Sequence, residues 1–289
     1  MDKQKQSFVY ASLVVLFWST IPSAFKISLR HLDVVPLLFY AAFVSTVTFF
    51  LFLLFSKRLY VLKSFSKKDY LNSALLGLLN PFLYYCVIFK SYTLLPAQQA
   101  QPLNFVWPIM LVLLSIPLLR QKIKARDIIA IFISFFGVII ISTRGDIFGF
   151  EVESPAGVAL ALGSTIIWSL FWIYNVRDKR DEAARLFLNF VFGFAFISIA
   201  MLSLGKIEFP NTKGLFGAAY IGLFEMGITF LLWLKALKLA KTTACIINLI
   251  YLTPFLSLIV VHFAIGEVIL PASIVGLIFI VGGIILQRL

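Results

Sequence analysis

Apolar runs of roughly 20 residues recur from one end of this chain to the other, separated by short charged clusters. About 20 residues is what an α-helix needs to cross ~30 Å of hydrocarbon, so the pattern specifies a bundle of membrane helices and leaves no stretch long enough for a soluble domain. Composition agrees: 61% of residues are hydrophobic and 13% charged, with a mean hydropathy of +0.99, whereas a soluble domain is about half apolar. The first run, Phe8 to Leu29, is long enough to span and lacks a small-x-small cleavage site, so it reads as a membrane helix and not a removable signal.

Apolar length and polar boundaries predict ten spans, at 8–29, 33–55, 70–90, 96–119, 125–143, 155–175, 184–204, 214–235, 239–264 and 268–287. Loops rich in lysine and arginine stay in the cytoplasm. With the N-terminus inside, 19 of the 25 basic residues fall on the inner side, leaving only Lys26, Arg30, Lys90, Arg144, Lys206 and Lys213 outside. The expectation is a multi-pass protein of the cell's inner membrane with both termini cytoplasmic. The net charge of +12 is spread over helix ends and loops, not gathered on one face, which excludes a nucleic-acid partner.

The chain also matches itself. Asn104-Phe-Val-Trp-Pro108 aligns with Ile250-Tyr-Leu-Thr-Pro254 at an offset of 146, which brings Gly137 onto Gly283. Trp18-Ser19 matches Trp168-Ser169, and the segment Gly77 to Lys90 matches Gly222 to Lys235 at an offset of 145. The halves 1–146 and 147–289 therefore read as two copies of one five-helix unit. Because five is odd, the second copy lies upside down in the membrane, the inverted arrangement of many secondary transporters. The expected fold is an all-α integral membrane protein of ten helices in two inverted repeats.

These features resemble the EamA-type drug/metabolite transporter family over almost the whole length. The resemblance rests on Leu252-Thr-Pro254 followed twelve residues later by Gly266-Glu267, then Gly276 and Gly282-Gly283, the two Trp-Ser pairs, and Lys90-Ser-Tyr-Thr before the fourth helix. Leu103-Asn-Phe-Val-Trp-Pro108 is similar to a stretch in bacterial aromatic amino acid exporters. The first half departs from the family's Gly-Glu at the end of its fourth helix, having Arg120-Gln121 there. The resemblance implies carriage of a small organic molecule, with amino acids, aromatic ones foremost, standing beside drugs, nucleosides and nucleotide sugars. It leaves a monomer and a homodimer both open.

Polar groups inside the spans are the candidate site residues. Glu225 is the only acidic residue deep in a span; an ionised carboxylate at the bilayer centre costs roughly 2.5–3.5 kcal/mol on insertion scales, so such groups usually face a pathway. It is the candidate for proton coupling. It aligns with Asn80 in the other copy, and Thr229, one turn on, aligns with Tyr84. Gln101 and Asn104 lie in the amide- and proline-rich start of the fourth span, where irregular backbone is tolerated only against protein or a cavity. Asn248 and Tyr251 lie at similar depth in the ninth. Trp18 and Lys26 share a face of the first helix, and Trp168 and Trp172 repeat the aromatic spacing in the sixth, so the walls suit a planar substrate with a carboxylate. Interhelical hydrogen bonding and aromatic packing explain such residues as well when taken singly.

Gly-x4-Gly-Lys-Ser/Thr, Gly-x-Ser-x-Gly and His-Glu-x2-His are absent, which argues against an ATP-driven pump and a membrane-embedded hydrolase. His31 and His262 have no second ligand at helical spacing, and Cys86 and Cys245 lie in separate apolar segments. The sequence thus predicts no catalytic residue, metal or cofactor, and leaves lipid, a small-molecule substrate and protons as the partners.

Overall fold

The structure, a computed structural model, describes residues 2–95, 100, 103–149, 154–265 and 269–288. Helices α1 (Lys3–Ser28), α2 (Val34–Phe55) and α3 (Lys67–Leu94) open the chain. Then come α4 (Trp107–Leu119), α5 (Ala125–Ser142), α6 (Pro155–Arg177), α7 (Glu182–Ser203) and α8 (Thr212–Leu239). Next is α9, in two segments, Ala244–Ile250 and Leu252–Ile265, and the last is α10 (Pro271–Arg288). Eight of these are long and apolar enough to cross a membrane; α4 and α10 are shorter apolar helices. Among the described residues there is no strand.

Several helices start earlier than apolar length predicts, because polar caps carry them past the hydrocarbon edge. Ser66 and Asp69 form a reciprocal capping box at α3, and Asp181 and Asn211 accept from the backbone of the first turns of α7 and α8.

Helix packing repeats under exchange of each helix with the one five places later. Helix α1 lies on α8 and α9 as α6 lies on α3 and α4; α2 packs on α8 as α7 packs on α3; and α2·α7 and α5·α10 pair with their own counterparts. The fold is two five-helix copies related by inversion. Small residues allow the closest approach. A Cβ added to Gly137 would strike the carbonyl of Gly276, and one on Gly283 that of Ala130, which is the same contact transposed between copies. Lipid tails are as apolar as the side chains, so no hydrophobic drive joins helices in the membrane, and close packing of this kind is one of the forces that does. Gly283→Val should therefore destabilise the protein by about 1–3 kcal/mol, the usual penalty for overpacking. Gly282, with open space at its Cβ position, is the control. Melting in detergent should show Gly283→Val several degrees below Gly282→Val.

Both copies break their third helix at the same depth. Helix α3 widens into a π turn at Leu78–Leu83, around Asn80, and α8 does so at Gly222–Gly227, around Glu225. Wide turns of this kind loosen the i→i−4 ladder and recur at functional sites. Carbonyls in the second turn take side-chain donors: Ser45 donates to Gly222 O at 2.7 Å, Trp18 Nε1 to Glu225 O at 3.2 Å, and the Thr229 hydroxyl to Phe224 O.

Candidate functional site

Helices α1, α3, α4 and α9 diverge on the face opposite the two termini and enclose a cavity of about 640 Å³. Pro22 and Phe25 of α1, Tyr84, Tyr85, Phe89 and Tyr92 of α3, Asn104 and Trp107 at α4, and Thr253 and Ser257 of α9 form its walls. Trp168 of α6 and Glu225 of α8 close its inner end.

The floor is a slab of tryptophan. All five tryptophans of the chain meet there: Trp18 lies 6.0 Å between ring centroids from each of Trp107, Trp168 and Trp233, and Trp172 lies 5.8 Å from Trp168. Tyr84 continues the slab, 4.5 Å from Trp168. Tilted and edge-on pairs at these spacings add about 0.5–1.5 kcal/mol each beyond area burial. The slab is thus rigid as well as apolar.

Two hydrogen-bonded polar pairs break this surface. The Tyr85 hydroxyl donates to Glu225 Oε1 at 2.9 Å, and the Tyr84 hydroxyl donates to Asn104 Oδ1 at 3.3 Å. Among the described side chains lining the cavity there is no lysine or arginine, and the described partner of the Glu225 carboxyl is the Tyr85 phenol.

Of the residues singled out from sequence, Trp18, Tyr84, Asn104, Trp168 and Glu225 line this cavity. Four others do not, because they belong to the closed part of the bundle. Asn80 is fully buried with neither amide atom paired, Trp172 is buried behind Trp168, Thr229 is buried and turned to the Phe224 carbonyl, and Tyr251 is buried with its ring 6.2 Å from Phe135. Asn248 lines a different pocket near the termini. Gln101, together with the Gly266-Glu267 pair, lies outside the described residues, and so does the side chain of Lys26. Sequence reasoning missed Tyr85, Phe89, Trp107, Thr253 and Ser257. The i, i+4 spacing of Thr253 and Ser257 was a usable signal, since it places both hydroxyls on one face.

The EamA-like transporter model matches residues 6–143 and again 155–288, nearly the whole chain in two copies. This chain belongs to the EamA-like transporter family. It is 26% identical over 163 residues to the aromatic amino acid exporter YddG of Ancylobacter novellus, an alignment spanning 54% of this chain and only 55% of that protein. It is 22% identical to an uncharacterized transporter of Archaeoglobus fulgidus over 94% of both chains. A crystal structure superposes with a TM-score of 0.84 over 98% of this chain and 96% of the other at 19% identity, which establishes the shared fold.

On the face that carries the termini, this EamA-like family member is laced by ion pairs. Arg180 binds Asp178 at 2.6 Å and reaches across to α3, donating to the Asp69 carbonyl at 2.7 Å and to Ser73 Oγ at 3.0 Å. Arg58 pairs with Asp181 at 3.2 Å and Lys238 with Glu182 at 3.3 Å. Beneath them the fully buried Arg185 donates to the carbonyls of Asp178 and Arg180. Burial opposes ionisation of Asp178, but hydrogen bonds from Arg180 and the charge of Arg185 outweigh it and hold its carboxyl below the usual carboxylate range. A lowered carboxyl stabilises above its unfolded pKa of about 3.9 and loses that contribution as pH falls through the folded value. The contribution of Asp178 is therefore constant between about pH 5 and 8.

Proposed function

We propose that this membrane transporter carries small organic metabolites out of the cytoplasm by alternating access, and that its substrates are amino acids, aromatic ones foremost. The observation that carries the reading is the cavity: a tryptophan and tyrosine surface, one amide and one carboxylate, in a volume within the roughly 300–1,000 Å³ usual for small-molecule sites. Aromatic walls favour a planar side chain, and Glu225 with Asn104 suits an ammonium and its neighbouring polar atoms. A multiply phosphorylated substrate would meet no described cation there. The similarity to an exporter named for aromatic amino acids points the same way.

With the termini cytoplasmic, as the 19 basic residues on that side favour, the cavity opens outward. The repeat then supplies the opposite state. Asn80, Trp172, Thr229 and Tyr251, all buried, are the counterparts in the other copy of Glu225, Pro22, Tyr84 and Phe105, all cavity-lining. In this reading they line the cavity when it opens inward, which accounts for buried polar atoms left unpaired on Asn80, Trp172 and Tyr251.

Counterflow tests the substrate. Liposomes holding the protein and unlabelled tryptophan, phenylalanine, threonine or a nucleoside should accumulate the matching labelled tracer, most strongly with the aromatic amino acids. Trp168→Ala should lower that exchange at least tenfold for tryptophan and less for threonine. Nucleoside counterflow without amino acid counterflow would overturn the substrate assignment while leaving the carrier mechanism standing.

A further inference from the structure

Away from the cavity, on the face that carries both termini, a second pocket of about 190 Å³ lies between the starts of α1, α5 and α9 and the end of α10. Its apolar walls are Phe8, Leu249 and Ile284. Its polar lining is unusual for a packing defect. Asn248 is 1% exposed, and neither its amide nitrogen nor its amide oxygen has a hydrogen-bond partner. The side-chain oxygen of Gln4 accepts from the Lys241 backbone at 2.8 Å, which fixes that amide, yet its buried nitrogen is unpaired. Asp127 and Lys241 bring one carboxylate and one ammonium to the same space.

A buried amide with no partner is costly, and here two converge on one pocket beside opposite charges. We infer that this pocket binds a small zwitterion, its oxyanion facing Lys241 and the amide nitrogens of Gln4 and Asn248, and its primary ammonium facing Asp127 and the amide oxygen of Asn248. Phosphoethanolamine has this chemistry, either as the headgroup of a lipid reaching in from the surrounding leaflet or as a free solute. A lone anion would leave Asp127 opposed, and a lone cation would leave Lys241 opposed. The site lies outside the translocation cavity and stands whichever substrate that cavity carries.

Cys245 lines the same pocket and is half-buried, so its alkylation reports occupancy. In a Cys86→Ser background, N-ethylmaleimide labelling of Cys245 would be timed in vesicles of phosphatidylcholine with phosphatidylglycerol, with or without phosphatidylethanolamine, and separately with millimolar O-phosphoethanolamine. Slowing of at least fivefold by the lipid alone assigns a headgroup site; slowing by the soluble compound assigns a site for free solute. Either protection should vanish in Asp127→Asn and in Lys241→Gln, each checked for monodispersity by gel filtration. Unchanged labelling in every arm, or protection that survives both substitutions, would overturn the assignment.

Discussion

Glu225→Gln is expected to exchange substrate across the membrane yet fail to accumulate it against a proton gradient. The substitution keeps the shape of the side chain and its hydrogen bond with Tyr85 but removes the capacity to gain or lose a proton. The intramembrane setting makes this carboxyl a functional candidate by default, since an acid at this depth is expensive unless a pathway uses it. Its surroundings add two particulars: it lines the cavity, and the group bonded to it is a phenol. In the mechanism proposed above, a substrate ammonium and a proton compete for this one carboxylate, and that competition would couple their movements in opposite directions. Counterflow at equal pH should stay within a few-fold of wild type, whereas accumulation driven by a pH difference of one or two units should fall at least tenfold. A pH dependence present in the wild type and lost in Glu225→Gln is attributable to the one carboxyl that the substitution removes. Gradient-driven accumulation that survives the change would place the coupling elsewhere or remove it.

Much of this was legible in the sequence, and the reason is lipid. A backbone that must satisfy itself inside hydrocarbon has little freedom, so run length gave the spans and the Trp18/Trp168 and Gly77/Gly222 matches gave the repeat. What stayed hidden is tertiary. No periodicity distinguishes Trp107 and Trp233, which meet Trp18 in the slab, from the chain's many lipid-facing aromatics. Depth was readable too: Asn80 and Glu225 do sit in matching wide turns. State was not. A carrier has two sets of lining residues, and a sequence lists both without saying which is open, so Tyr84 and its counterpart Thr229 looked alike until one was seen in the cavity and the other in the core.

That ambiguity yields the second large effect. Leu237 is the repeat counterpart of Tyr92, which lines the outer cavity, but Leu237 is only 4% exposed and precedes Lys238, which pairs with Glu182. If the two copies exchange roles, a thiol at this position opens to the terminus face in the inward state. In a background with Cys86 and Cys245 replaced by serine, Leu237→Cys should react slowly with a charged, membrane-impermeant thiosulfonate applied from that face, and Tyr92→Cys only from the other. Adding Arg180→Ala removes the hydrogen bonds that tie α3 to the segment before α7. Each bond to a charged group is worth about 1.5–3 kcal/mol, and about 1.4 kcal/mol is tenfold in an equilibrium. Loss of even one net bond should thus raise the Leu237→Cys rate about tenfold or more while lowering that of Tyr92→Cys. A merely loosened fold would raise both rates together, so the opposite movement of the two thiols separates a gate from a structural brace.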